Sequence, residues 1–493
     1  MKKTDQKIPV SGSINEIEAY MKKRVGIDLS FDLGYREIIV LKKKVQIYYS
    51  NGLVDTSFIQ ELIKKLVEIN DFESNTRKTK EIIENRLVHH QFEKAQTMDE
   101  AVDQMLSGLI AVFIDGVKEA FIIDVRHYPG RTPKEPDTER VIRGARDGYT
   151  ENIIENAGLT RRRLRDPRLR MEMLKVGERS KTDVSICYLD DVADKGLINL
   201  LKERLEAIEF DGIPMADKTI EEFIMGLKFS PYPIVRYTER PDVAAIHLLE
   251  GHVLLIVDTS PSLIILPATF FQHLQHAEEY RQSPMIGTFV KAMRYLAVFS
   301  SLYLLPLWLL FAIEPTLLPA DLAFIGPTEE GSIPLTIQII FGLIGMEFLR
   351  LSAIHTPTAL ATSLGLIAAV LIGQIAIDVG MLIPEVILYV AISAVGNYVT
   401  PSYELGTANR VVNVLLVLIT AFFGSIGFVA GVTIHVLLLA SFKSLRTPYL
   451  WPVIPFNLRA MVQIIFRIPM QFSNSRPDIV HPRNNYRQPA EKR

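Results

Sequence analysis

The sequence predicts an α/β soluble region of two related subdomains followed by an α-helical, polytopic membrane domain. The first observation is a break in polarity. The chain has 54 Lys and Arg and 56 Asp and Glu residues, and only ten of these lie in residues 295–442. A soluble core does not need a block so poor in charge, whereas the hydrocarbon interior of a bilayer does. The second observation is an internal repeat in the soluble half, and the third is a basic tail after the apolar block.

Two similar β-hairpins carry the repeat. Gly108 and Asp115 bound one strand, and Gly251 and Asp258 bound the other, a constant offset of 143 residues. In each copy a helical pattern precedes a strand, an Asp-led turn and a second strand, so we infer two related α/β subdomains. The predicted organisation is an N-terminal segment 1–29, subdomain 30–130, a polar and basic connector 131–174, subdomain 175–285, a membrane domain 286–442 and a partly disordered basic tail 443–493.

The apolar block divides into segments that are candidates for membrane spans. Segment 333–349 is short enough to be re-entrant, and segment 411–442 is either one tilted helix or a hairpin broken near Gly424. The basic tail and the lack of a signal peptide place both termini in the cytoplasm, which requires an even number of crossings. A re-entrant 333–349 with one helix over 411–442 gives four spans, whereas a crossing 333–349 with a hairpin over 411–442 gives six, and we favour four. The segments are 292–313, 333–349, 357–380, 381–400 and 411–442.

Composition and motifs argue against several functions. A net charge of −2 does not suit a general nucleic-acid binder, and the single cysteine, Cys187, fits a reducing compartment. The sequence contains no P-loop, dinucleotide-binding, zinc-protease or serine-hydrolase motif. We therefore expect no enzymatic activity, no cofactor and no metal site.

Arginine is unusually dense in residues 161–170, with acidic residues interspersed. Ion pairing within or between subunits, binding of anionic lipid head groups and binding of nucleic acid are the alternatives, and we favour ion pairing. The cluster consists of Arg161, Arg162, Arg163, Arg165, Arg168 and Arg170.

A polar stripe marks the apolar segment 357–380. Its members recur at i+4 steps, so they share one face of a helix that is polar at both ends and apolar in the middle. They are Thr362, Leu366, Val370, Gln374 and Asp378. A cation pore with a dry constriction has this character, with Leu366 and Val370 as the gate and Gln374 and Asp378 at one mouth. The competing interpretation places Gln374 and Asp378 at the membrane interface. Because one chain encloses little, a pore requires several copies around an axis, and we expect a homo-oligomer.

Several segments resemble the A subunits of GerA-type spore germinant receptors. The most specific are residues 135–151 (EPDTERVIRGARDGYTE) and residues 401–405 (PSYEL). Two departures are LRLSA at 349–353, where the family often has LREAG, and Ala145, where proline is common. Further matching segments are 237–242, 250–251 with 257–258, 270–272, 372–374 and 448–450.

The resemblance implies a multi-pass protein of the spore inner membrane with a cytoplasmic N-terminal region of two subdomains. It also implies a ring that conducts ions during germination, together with other germination membrane proteins. We therefore expect a gated cation-conducting channel subunit, and the alternatives are a non-conducting scaffold or a ligand-sensing receptor subunit. Subunit contacts are expected at signature and connector residues, namely Glu135, Pro136, Thr138, Glu139, Arg143, Gly144, Arg146, Arg161, Arg162 and Arg163.

Overall fold

The computed structural model describes residues 8–72, 79–86, 92–128, 139, 141–226, 230–328, 331–355 and 373–487. Within these ranges the chain forms two α/β subdomains, a bundle of apolar helices, and a C-terminal segment that returns to the second subdomain. The predicted fold class, two related α/β subdomains followed by a helical membrane domain, is confirmed.

The first subdomain is built on a five-stranded antiparallel sheet. Its elements are α1 Ile14–Tyr20, β1 Leu33–Val40, β2 Lys43–Ser50, α2 Thr56–Phe72, α3 Thr79–Arg86, β3 Phe92–Ala95, α4 Met98–Leu106, β4 Leu109–Ile114 and β5 Ala120–Asp124. The strand order is β1-β2-β4-β5-β3. Strand β4 is central and fully buried, which explains its uninterrupted apolar run.

The second subdomain repeats this arrangement. Its elements are α5 Ile153–Arg163, β6 Leu169–Val176, β7 Thr182–Leu189, α6 Lys195–Glu206, α7 Ala216–Met225, β8 Arg236–Thr238, α8 Pro241–Glu250, β9 Val253–Val257 and β10 Leu263–Leu266. The strand order is β6-β7-β9-β10-β8, the same as in the first sheet. The repeat inferred from two hairpins therefore covers whole subdomains.

The repeated aspartates each hold the start of a helix. The backbone N–H of Ile14 donates to Asp115 Oδ1 at 3.3 Å, and that of Ile153 donates to Asp258 Oδ1 at 3.2 Å. A carboxylate is well placed there, because the first N–H groups of a helix have no partner within the helix. Helices α1 and α5 are thus the first elements of the two copies.

The second copy consequently begins earlier than predicted. Residues 131–174 were expected to be a connector, yet α5 and most of β6 lie within that range. Its arginines do not mark an exposed linker, because Arg161 and Arg170 are buried among partners from the first subdomain.

Both sheets are covered by helices on two faces. Helices α1 and α4 cover one face of the first sheet, and α2 and α3 cover the other. In the second sheet, α5 and α8 cover one face and α6 and α7 the other. The core under α6 and α7 differs from the other three, because it continues into the apolar helices.

The helical region begins at Ala277. Its helices are α9 Ala277–Arg281, α10 Pro284–Phe299, α11 Leu305–Ile313, α12 Leu335–His355, α13 Pro384–Tyr398 and α14 Tyr403–Ser441. Three stretches of the described residues are long and apolar enough to cross a membrane: Pro284–Ile313, Leu335–Ser352 and Tyr403–Ser441. Helix α13 occupies the predicted segment 381–400 and has 15 residues, fewer than a membrane span needs. Most of the predicted segment 357–380 lies outside the described residues.

Helix α14 is a hairpin, so the expectation of a single helix over 411–442 is wrong. The Tyr232 hydroxyl lies 3.4 Å from Asn409 Oδ1 and 2.7 Å from His435 Nε2. A continuous helix would separate those two positions by about 39 Å. The reversal occurs at Gly424, whose φ of 57° and ψ of −137° are not helical. We call residues 403–423 the first arm and 425–441 the second arm.

The C-terminal segment packs back onto the second subdomain. It contains a short hairpin, β11 Lys443–Ser444 with β12 Thr447–Pro448, and the helix α15 Leu458–Ile465. Residues after Ser473 were predicted to be disordered, yet Ile479 and Val480 are buried and Arg487 pairs with Glu250 at 2.6 Å. Their Pro, Asn and Arg content is accommodated by backbone and ion-pair contacts to the second subdomain.

Candidate functional site at the junction of the soluble and membrane regions

The second subdomain and the membrane helices share one hydrophobic core. Leu405, Ala408 and Val412 of the first arm of α14 belong to the same buried cluster as Leu201 of α6 and Ile220 of α7. This apolar contact couples the two regions, since the second subdomain cannot separate from α14 without exposing core side chains to water.

A hydrogen-bonded trio of side chains crosses this junction, and we call it the Tyr–His–Tyr joint. His435 of the second arm bonds the Tyr232 hydroxyl at 2.7 Å through Nε2 and the Tyr303 hydroxyl at 2.8 Å through Nδ1. In a neutral imidazole one nitrogen donates and the other accepts, so the two tyrosines have opposite roles. Burial raises the pKa of Tyr232, which keeps this hydroxyl protonated. The joint ties three separate elements together at one buried point.

A cavity of about 280 Å³ lies between the second subdomain and the loop that leads into α14. Its walls include Arg236, Tyr237 and His273 from the subdomain, Ser402 from the loop and Glu404 from the first turn of α14. The loop is part of the 401–405 segment that carries the family resemblance. Segments that carry the family resemblance therefore meet at the junction.

The signature residue Glu139 lies at the edge of this cavity. Its Oε2 accepts hydrogen bonds from Thr238 Oγ1 at 2.7 Å and from the backbone N–H of Glu239 at 3.2 Å. Its carbonyl oxygen accepts from Arg240 at 3.1 Å. Within one chain, Glu139 thus anchors the signature segment to strand β8.

The other signature residues differ in exposure. Arg143 and Arg146 are exposed, and Gly144 lies against the Arg281 guanidinium. Glu135, Pro136 and Thr138 lie outside the described residues. Contacts between subunits at these positions remain a prediction.

The arginine cluster makes contacts within the chain. Arg161 is fully buried and forms a bidentate pair with Asp32 of the first subdomain, at 2.7 and 3.1 Å. Arg163 pairs with Asp147, and the guanidinium of Arg162 lies 4.5 Å from the ring centroid of Tyr128. Buried pairing of this kind fixes the two subdomains against each other.

A row of polar side chains is buried in the first arm of α14, and we call it the polar row. Asn409, Asn413 and Thr420 are all buried. Asn413 Nδ2 donates to the carbonyl oxygen of Leu302 at 2.9 Å. Within the described residues, Asn409 Nδ2, Asn413 Oδ1 and Thr420 Oγ1 have no hydrogen-bond partner. Polar groups inside a membrane domain are costly unless they face water, ions or one another.

The predicted pore residues are only partly described. Leu366 and Val370 lie outside the described residues. Gln374 and Asp378 are exposed, and Gln374 Nε2 donates to Asp378 Oδ1 at 2.9 Å. The chain then turns to Ile383, whose N–H donates to Gln338 Oε1 at 2.8 Å, so the pair lies near the N-terminal end of α12.

Sequence reasoning missed the joint and the polar row. It considered the charged groups and the stripe of segment 357–380 in the apolar block and passed over the other neutral polar residues. His435 is flanked by apolar residues, and Asn409 and Asn413 recur at i+4, which is the available signal. Tyr232 and Asp32 had no local signal, because their partners are distant in sequence.

Residues 19–479 match the family model described as the Bacillus/Clostridium GerA spore germination protein. The chain therefore belongs to the GerA family of spore germination proteins, with apolar helices suited to a membrane.

A particular relative is Stage V sporulation protein AF of Bacillus subtilis (strain 168), which is 53% identical over 99% of both chains. Spore germination protein KA of the same organism is 28% identical over 99% of this chain and 90% of the relative. Spore germination protein XA of Bacillus anthracis is 31% identical over 80% of each chain. The N-terminal domain of the A subunit of the Bacillus megaterium germinant receptor GerK3 is 24% identical, covers 53% of this chain and 97% of that one, and has a TM-score of 0.42.

Proposed function

We propose that this protein is a subunit of an oligomeric, gated, cation-conducting assembly of the spore inner membrane that contributes to ion release during germination. Both termini face the cytoplasm, and other germination membrane proteins are its partners. The observation that carries the proposal is the exposed Gln374–Asp378 pair at the end of an apolar helical bundle. A carboxylate at that position favours cations at a pore mouth.

The gating part of the proposal is supported by the junction. The shared core and the Tyr–His–Tyr joint give a contiguous route from the second subdomain to both arms of α14. The polar row supports a hydrated interior, since its unpaired atoms favour contact with water or ions. Leu366 and Val370 are proposed as the dry constriction in a ring of equivalent helices.

The test is potassium and sodium leak from cells that express the chain, with and without its membrane partner, at matched protein levels. Val370→Ala should raise the leak, and Asp378→Asn should change the preference between the two ions. Asp321→Asn is the matched control, because Asp321 is an exposed carboxylate in the loop before α12.

A non-conducting scaffold is the second candidate, and the shared core also suits that role. Absence of leak in every condition, with Asp378→Asn acting only through protein level, would favour the scaffold. A ligand-sensing subunit would instead show a nutrient-dependent thermal shift. That measurement requires the full chain, because the core of the second subdomain extends into the membrane helices.

A further inference from the structure

A second cavity, of about 350 Å³, lies where the second subdomain, the start of α10 and the C-terminal segment meet. Its walls come from α8, α10, α15 and residues 466–487. Arg236 and Gln275 line both this cavity and the one at the junction. We call it the basal cavity, and the proposed channel does not use it.

The basal cavity has an excess of positive charge. Five cationic side chains line it, and the two carboxylates in its wall are already paired. Asp242 accepts from Arg240 and Arg281, and Glu250 accepts from Arg487. The cations are Arg236, Arg281, Lys291, Arg467 and Arg487.

Three of these cations have no carboxylate of the wall as a partner. Lys291 is 3% exposed, and its Nζ has no hydrogen-bond partner among the described residues. The nearest carboxylate, Glu279, lies 3.9 Å away and also contacts Arg294. Arg467 uses one nitrogen on the carbonyl oxygen of Tyr280, at 2.7 Å, and leaves Nε unpaired within the described chain. Among the described residues, the hydrogen bonds of the Arg236 guanidinium go to neutral groups, namely His247 Nε2 and the carbonyl oxygen of Gln275.

The Lys291 ammonium also lies 5.1 Å from the ring centroid of Tyr280, but neither this ring nor the distant Glu279 accepts a hydrogen bond from it. A buried ammonium without a hydrogen-bond acceptor is costly, and an anionic ligand removes that cost. The wall also has an apolar part, which includes Val243, Ile246, Ile464 and Ile468. A cavity of this size accommodates more than a single inorganic ion. The ligand should therefore combine a negative group with an apolar body.

The cavity lies beside the surface that faces the bilayer. Lys291 is in the second turn of α10, which begins the first candidate span and exposes Met285, Ile286 and Phe289. Phe466, at the end of the amphipathic helix α15, is also exposed. Basic pockets at this depth on the cytoplasmic side of membrane helices suit the head groups of anionic lipids.

We propose that the basal cavity binds a phosphate ester with an apolar body. Lys291 and Arg467 contact the phosphate, and Arg236 adds a third positive charge at the same end of the cavity. An anionic phospholipid and a soluble organic phosphate share this chemistry. The geometry favours the phospholipid, because the cavity borders the lipid-facing surface.

The test uses the purified full-length protein in a non-ionic detergent. Its unfolding temperature is measured against increasing short-chain phosphatidylglycerol, short-chain phosphatidylcholine or glycerol phosphate. Phosphatidylglycerol should raise the unfolding temperature, and Lys291→Gln and Arg467→Gln should each need at least about tenfold more lipid for the same rise, as expected for loss of one charge-assisted contact. Arg459→Gln is the matched control, since Arg459 is an exposed cation on α15 and should respond as wild type.

A response to glycerol phosphate equal to that for phosphatidylglycerol would support the phosphate site and assign it to a soluble ligand. An equal response to phosphatidylcholine would overturn the proposal. So would identical responses of Lys291→Gln, Arg467→Gln and Arg459→Gln. If Lys291→Gln does not fold, Arg467→Gln decides, because Arg467 is only half-buried.

Discussion

At the residue scale, Arg161 shows how a charged side chain can belong to a core. Its guanidinium and the Asp32 carboxylate are both almost fully excluded from solvent. The remaining donors bond the carbonyl oxygens of Asp166 and Leu169, at 3.1 and 3.2 Å. A buried pair is tolerable only when its other donors are satisfied in this way.

Arg161→Ala should lower the free energy of unfolding by about 3–5 kcal/mol, because it leaves the Asp32 carboxylate buried without its partner. Thermal unfolding of the purified protein measures the loss. Arg179→Ala is the control, since Arg179 pairs with Asp211 at an exposed site and should cost less than about 1 kcal/mol. Equal effects of the two substitutions would contradict the assigned role of Arg161.

Two buried histidines predict sensitivity to acid. Burial lowers the pKa of the His252 and His273 imidazoles to about 3. In the unfolded chain they titrate near about 6.5, so the unfolded state binds more protons between these values. The contribution of these neutral histidines to the free energy of unfolding is therefore complete above about pH 6.5. It is lost as the pH falls toward 3, at about 1.4 kcal/mol per pH unit for each histidine.

Removing one of these histidines should make the stability of the protein less dependent on pH. His252→Gln should show a shallower fall in unfolding temperature than wild type between about pH 6 and 4, because one proton fewer is taken up on unfolding. Thermal unfolding across this range measures the difference. Parallel curves for the two proteins would mean that His252 does not titrate on unfolding.

At the element scale, the reversal of α14 depends on one glycine and one carboxylate. Glu314, at the end of α11, accepts from the backbone N–H of Ser425 at 2.8 Å, which satisfies an N–H group at the start of the second arm. A Cβ on Gly424 would lie 2.2 Å from Glu314 Oε1. Gly431 then allows the arms to approach closely, since a Cβ there would lie 2.8 Å from the Leu416 side chain.

Gly424→Ala should destabilise the protein by about 1–3 kcal/mol, because alanine strains the left-handed backbone and crowds Glu314. Gly345→Ala in α12 is the matched control, since no described atom outside the local backbone of its own helix lies within 4 Å of the added methyl group. The control should be neutral or stabilising by up to about 1 kcal/mol. Unfolding temperatures in detergent compare the two, and a neutral Gly424→Ala would argue against the tight hairpin.

At the scale of the whole molecule, the soluble and membrane regions form one mechanical unit. The second subdomain contributes strands and helices to the core that also holds the first arm of α14. The C-terminal segment reinforces this union, because residues beyond α15 return to the second subdomain. The first subdomain is attached differently, through polar contacts such as the Arg161 pair.

Leu405→Ala should destabilise the second subdomain and the first arm of α14 together. Leu405 is fully buried in the shared core, and its truncation should cost about 2–5 kcal/mol. Hydrogen exchange should then rise in β9 and in the first arm of α14. Leu437→Ala is the control, because Leu437 of the second arm is 63% exposed. It should leave the hydrogen exchange of β9 and of the first arm unchanged. A rise confined to α14 would mean that the two regions open independently.

The sequence by itself determined the division between charged and apolar halves and the existence of a repeat. Both follow from local rules, since hydrocarbon excludes charge and similar segments fold alike. The Gly and Asp positions of the two hairpins were enough to predict two related subdomains. The family resemblance also required only residue identities.

Only the tertiary structure decided where charge is buried and where the chain reverses. The sequence predicted ion pairing for the 161–170 arginines but did not reveal the partner of Arg161, because Asp32 lies 129 residues away in sequence. The run 411–442 reads equally well as one helix or two, and Glu314 and the packing at Gly431 select the hairpin. The joint formed by Tyr232, Tyr303 and His435 is likewise a product of long-range packing, which no local pattern records.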